Sequence, residues 1–95
     1  MLDIHFNDSN EIILEGRFDA SQVEKAREIF EKVSGTTPVN FEHLDYISSA
    51  GLGVLLSTQK RLKSSGHELV LTRMNKHIRE IFSYAGFDMI FKIEE

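Results

Sequence analysis

Two adjacent hydroxyls, Ser48 and Ser49, stand directly before Ala50, Gly51, Leu52 and Gly53 in the stretch DYISSAGLGVLLS, which spans Asp45 to Ser57. A hydroxyl at the start of a helix faces backbone N–H groups that lack an intrahelical acceptor, and the positive end of the helix dipole. Two kinds of chemistry are open to it. As an N-cap, Ser48 would accept a hydrogen bond from a first-turn N–H, worth about 1 kcal/mol, and Ser49 would be a small exposed residue. As a modification site, a hydroxyl at the first helical position would carry a phosphate stabilised by charge-assisted hydrogen bonds. The dipole would add about 0.3–1 kcal/mol when the group is exposed and up to ~2 when partly buried. The added charge, roughly −1.5 to −2, would change what could dock there. Ala50, Gly51 and Gly53 would let a partner's backbone come close. Each glycine costs a helix about 1 kcal/mol relative to alanine, and close helix–sheet packing is the alternative reason for either.

Other patterns carry less. Ser57 and Lys60 have Ser-x-x-Lys spacing, but no companion catalytic motif accompanies them. Gly51-Leu52-Gly53 lacks the third glycine and the following acid of a dinucleotide loop. His5, His43, His67 and His77 show neither HxxxH nor HExxH spacing, so structural histidines are expected rather than metal ligands. The absence of cysteine excludes disulfides, thiol catalysis and thiolate metal sites. No catalytic residue, metal or cofactor is expected.

These residues must be positioned by a small scaffold. Ninety-five residues, 41% hydrophobic and 27% charged, suit one globular domain over residues 1–95. A net charge of −4 gives no electrostatic gain on approaching nucleic acid or an anionic membrane. The first residues lack the basic start and apolar core of a signal peptide, and no apolar run approaches the roughly 20 residues of a membrane span. A cytoplasmic protein without nucleic-acid or membrane partners is expected, monomeric by default.

Alternation in LDIHF and in EIILEG, separated by the turn residues Asn7 to Asn10, predicts a hairpin. SQVEKAREIFEKVSG predicts a helix. Ser21 and Glu24 have capping-box spacing, Val23, Ala26, Phe30 and Val33 form its apolar stripe, and Gly35 is expected to stop it in the left-handed region. PVNF after Pro38 predicts a short strand, and EHLDYI leads to the serine pair. Leu52, Leu55, Leu56 and Leu62 recur at helical spacing to about Ser64, with QKRLKSS as a solvated, dipole-complementing face before a glycine. ELVLT predicts a strand. Asn75 should cap a helix burying Ile78, Ile81, Phe82 and Ala85, and MIFKI a final strand. The order β-β-α-β-α-β-α-β predicts an α/β fold with a mixed, mostly parallel sheet, an N-terminal hairpin and about three main helices.

With YISSAGLGVLL preceded by a short strand, GRFDA after the second strand, and IFSYAGFDMIFKI at the end, the chain resembles the STAS-domain anti-sigma factor antagonists over nearly its whole length. The resemblance implies a STAS-like single domain in which Ser49 is the phosphorylated serine at the start of the second helix. It implies a contact surface built from Asp45, Ser48, Ser49, Ala50, Gly51, Leu52 and Gly53, with Asp19 as a matching acid near the same end of the sheet. Turn or N-cap chemistry is the alternative role of Asp19. Ser48 replaces the family's Asp, and Asn40 in VNF replaces a strand acid, which implies less negative charge near the Ser49 hydroxyl. The function implied is partner switching. The unmodified chain binds an anti-sigma factor, that factor's serine kinase activity modifies Ser49 and releases it, and a serine phosphatase restores it. An alternative keeps the fold without the switch, as a STAS-type accessory or scaffold subunit, for example of a lipid transporter. An enzymatic role finds no acid–base pair or metal constellation in the sequence.

Overall fold

The hairpin is set by Asn7. Its Oδ1 accepts the N–H groups of Ser9 and Glu11, while Asn10 takes the left-handed region at φ 61°, which asparagine tolerates. This turn places Leu2 opposite Gly16 and Phe6 opposite Ile12 in an antiparallel pair, β1 (Leu2–Phe6) and β2 (Ile12–Phe18). Gly16 has φ 95°, and a Cβ there would lie 2.4 Å from the Met1 carbonyl oxygen, so only glycine lets the N-terminal segment close on β2.

The computed structural model describes residues 1–94. After β2 come a 3-10 turn (Ala20–Gln22), α1 (Val23–Phe30), β3 (Thr37–Ile47), α2 (Ser49–Lys63), β4 (Leu69–Thr72) and α3 (Lys76–Tyr84). A second 3-10 turn (Phe87–Met89) then leads to β5 (Lys92–Glu94). The five strands lie in sequence order, β1-β2-β3-β4-β5. Every pair after the hairpin is parallel, giving the mixed, mostly parallel sheet and three main helices expected.

Alternation decides the layering. Leu2, Ile4, Ile12, Leu14, Val39, Phe41, Leu69 and Leu71 point to one side and join the buried faces of α1, α2 and α3 in a single core. The other face of the sheet is left open, with Asp3 and His5 exposed on it. Phe82 of α3 meets Phe41 edge-on at 5.8 Å and Phe91 at 5.9 Å, which fastens α3 and the chain end to the sheet. Gln59, 1% exposed, accepts from Leu69 N–H at 2.8 Å and donates to the Ile90 carbonyl at 2.9 Å.

Several local expectations differ. Ser21 and Glu24 form no capping box: the first turn is 3-10, Asp19 is its cap, and Gln22 at the start of α1 makes no side-chain cap bond. Gly35 is not left-handed, and α1 ends at Phe30, where Arg61 donates to the Phe30 and Val33 carbonyls at 2.9 and 2.8 Å. A cation from α2 thus satisfies the orphan carbonyls that glycine was expected to handle. PVNF and EHLDYI are one continuous strand of 11 residues. Ala85 is exposed rather than buried, and the final strand starts at Lys92 because Phe87–Met89 turn first.

Candidate functional site

The parallel strands β2 and β3 end together, with Phe18 registered on Ile47, and the chain turns from β3 straight into α2. Ser48 occupies the turn in extended backbone, φ −86° and ψ 170°, and its Oγ accepts the Gly51 N–H at 3.2 Å. Its own N–H donates to the Phe18 carbonyl at 2.9 Å. That bond ties the start of α2 to the end of β2 and brings Asp19, the next residue of that loop, to the same end of the sheet.

Ser48 is therefore committed as the N-cap. Ser49 is the first residue of α2 and is exposed, and its hydroxyl has no hydrogen-bond partner among the described residues. No side chain among the described residues that could act as a base is hydrogen-bonded to this oxygen.

The two glycines separate. Gly51 is buried, and a Cβ there would lie 2.9 Å from Ile47 Cγ1 and 3.1 Å from the Phe18 ring. Its missing side chain admits the sheet rather than a partner, so the close approach expected at Gly51 is corrected to helix–sheet packing. Gly53 is exposed, and a Cβ there would meet nothing within 4 Å. Ala50 is half-buried. Leu52 is 9% exposed, and its edge joins Ile81, Tyr84 and Ala85 in a shallow groove between α2 and α3.

Asp19 accepts the Ser21 N–H at 3.0 Å and the Ser21 hydroxyl, capping the 3-10 turn. The hydroxyl bond is the main reason its carboxyl is held below the usual carboxylate range. Slight desolvation opposes this, while the Ser21 N–H, the N-terminal ammonium and Arg17 assist. Asp45 is exposed at an irregularity where β3 carries one residue more than β2, between the pairs Gly16–Leu44 and Arg17–Tyr46. It makes no hydrogen bond or ion pair among the described residues. The same irregularity puts the Arg17 guanidinium 4.4 Å from the centre of the Tyr46 ring. No sequence spacing signals that pair, because its members come from different strands. Asn40 lies away from the site. It faces opposite to Val39 and Phe41, roughly 20 Å of strand before Ile47, so it does not alter the charge beside Ser49.

The profile described as "Mlab, STAS domain" matches residues 4–93. A Bordetella bronchiseptica protein provisionally named anti-sigma factor antagonist BtrV is 50% identical over 50 residues, 53% of this chain and 43% of that protein. That match spans less than half of the relative's length. The anti-sigma-B factor antagonist of Staphylococcus aureus strain NCTC 8325 is 27% identical over 89 residues, 90% of this chain and 82% of that protein. Among solved structures, the Bacillus cell fate determinant SpoIIAA in its phosphorylated form aligns with a TM-score of 0.68 at 20% identity, over 100% of this chain and 92% of that one. Its unphosphorylated form aligns with a TM-score of 0.70, over 100% and 88%. At that identity the likeness is one of fold.

Proposed function

The chain belongs to the STAS domain family, and from that membership we propose that it is an anti-sigma factor antagonist switched by phosphorylation of Ser49. The names of its relatives support the antagonist role. One observation carries the switch: beside a capping serine whose oxygen is already used, Ser49 presents a spare, exposed hydroxyl at the positive end of α2.

In this reading the unmodified chain binds an anti-sigma factor in the cytoplasm through the α2 start, and that factor or an associated serine kinase modifies Ser49. The exposed part of the surface comprises Ser49, Gly53, the edges of Ser48, Ala50 and Leu52, and the flanking acids Asp19 and Asp45. Phosphate at Ser49 is tolerated by the free protein, because the helix dipole favours an anion there. In the complex the same dianion must be desolvated against a close-packed partner and beside two acids. Inverting a 99:1 bound population requires about 5.5 kcal/mol of differential binding, within reach of clash and charge acting together. A serine phosphatase resets the protein, which acts throughout as ligand and substrate rather than catalyst.

The test is to incubate the chain with ATP and the serine kinases of its source, map the modified residue by mass spectrometry, and titrate the anti-sigma factor. Expected are a phosphate on Ser49, none on Ser49→Ala, and affinity reduced about tenfold or more, over 1.4 kcal/mol, for Ser49→Asp. Equal affinity of wild type and Ser49→Asp, with no kinase-dependent mass shift, overturns the switch. Capture of a transporter ATPase in place of an anti-sigma factor would instead favour the accessory-subunit role.

A further inference from the structure

The open face of the sheet carries a second cluster that takes no part in the α2 start. Asp3 and His5 alternate along β1 with the buried Leu2 and Ile4, so both project from the face turned away from the helices. Glu15 lies directly opposite Asp3 in the antiparallel register. His5 Nδ1 is 3.4 Å from Asp3 Oδ1, and one donor atom from each of Asp3, His5 and Glu15 lies within 4.8 Å of the other two. A zinc ion with ligand distances of about 2.0–2.1 Å holds its tetrahedral donors about 3.3–3.4 Å apart. Asp3 and His5 already have that spacing, and Glu15 closes the set by rotating a partly exposed side chain.

Two features of the surroundings bear on the charge of this cluster. Asp3 and Glu15 are like charges in directly paired positions, an arrangement that destabilises a sheet unless it is neutralised. On its other side Glu15 registers with an imidazole, His43, and Asp3, Glu15 and His43 line one shallow depression of about 640 Å³. Lys25, at the rim of that depression, donates its ammonium to the Leu2 carbonyl.

We propose that Asp3, His5 and Glu15 form a binding site for a borderline divalent cation, represented by Zn²⁺, with His43 or water completing the coordination. One imidazole and two carboxylates suit Zn²⁺ better than Mg²⁺ or Ca²⁺, which prefer all-oxygen shells. The ligands sit on paired strands, so their spacing is set by the sheet rather than by a mobile loop. The site is separate from Ser49, and neither depends on the other.

The experiment is calorimetric titration of the tag-free full chain with zinc chloride near neutral pH, alongside thermal unfolding with and without zinc. Expected is one saturable site per chain, weakened about tenfold or more by His5→Ala and by Glu15→Gln. His77→Ala should leave it unchanged, and magnesium should not bind. Zinc should raise the Tm of wild type more than that of Glu15→Gln. Without zinc, Glu15→Gln should be at least as stable as wild type, since it removes one of two facing carboxylates. Circular dichroism checks that each variant is folded. No saturable binding up to roughly 0.1 mM zinc, binding that survives both substitutions, or a Glu15→Gln variant that loses stability without zinc would each overturn the site.

Discussion

Gly51 and Gly53 lie two residues apart in one helix, yet alanine at the two positions should change stability in different ways. Relative to glycine, alanine favours a helix by about 0.8–1.0 kcal/mol. At Gly53 nothing lies within 4 Å of the added carbon, so Gly53→Ala should realise that gain. For a domain of this size that is a rise in Tm of about 4–8 °C. At Gly51 the same methyl would sit 2.9 Å from Ile47 Cγ1 and 3.1 Å from the Phe18 ring. Neither neighbour can swing away, since Phe18 is fully buried and Ile47 is 3% exposed. Overpacking of that kind costs about 1–3 kcal/mol. The propensity gain is common to both variants, so the difference between them isolates the clash, and Gly53→Ala should be the more stable by about 1–3 kcal/mol. Urea unfolding with matched m-values measures it directly. If Gly51→Ala proved as stable as Gly53→Ala, Phe18 and Ile47 would not close over the helix start. The positioning of Ser49 argued above would then lose its foundation.

The serines should also part company. Ser48→Ala should cost about 0.5–2 kcal/mol by losing the cap on Gly51 N–H, whereas Ser49→Ala should stay within about 0.5 kcal/mol of wild type. Comparable losses at both in chemical denaturation would refute the division of labour. Asp19, with its carboxyl pKa lowered in the fold, should contribute stability that is present above the ordinary aspartate range and lost as pH falls through its folded value. Asp19→Asn, which can still cap but carries no charge, should lack that contribution at neutral pH and so flatten the acid limb; an unchanged acid limb would count against it. Gln59→Leu should destabilise by about 1–3 kcal/mol, because it strands the buried Leu69 N–H, and hydrogen exchange at Leu69 should accelerate.

Most of the scaffold was legible in the chain, because alternation of period two and apolar stripes of period three to four are local properties. They foretold the hairpin, three helices and a mostly parallel sheet. Ser48 as a cap was legible for the same reason: its acceptor role is satisfied three residues away. The failures have one origin. The Ser21–Glu24 spacing was a valid capping signal that lost to Asp19, whose place is set by β2 ending against β3. Gly35 lost its expected role to Arg61, a residue from another helix.

The sequence by itself determined the kind of fold, the family and the serine pair at the helix start, since each is written in neighbouring residues. Only the tertiary structure decided which glycine faces the sheet. It alone showed that Arg17 meets Tyr46 and that Glu15 faces Asp3. The physical reason is register: which side chains share a face across strands depends on pairing and on the irregularities in β3, and no spacing along the chain encodes it.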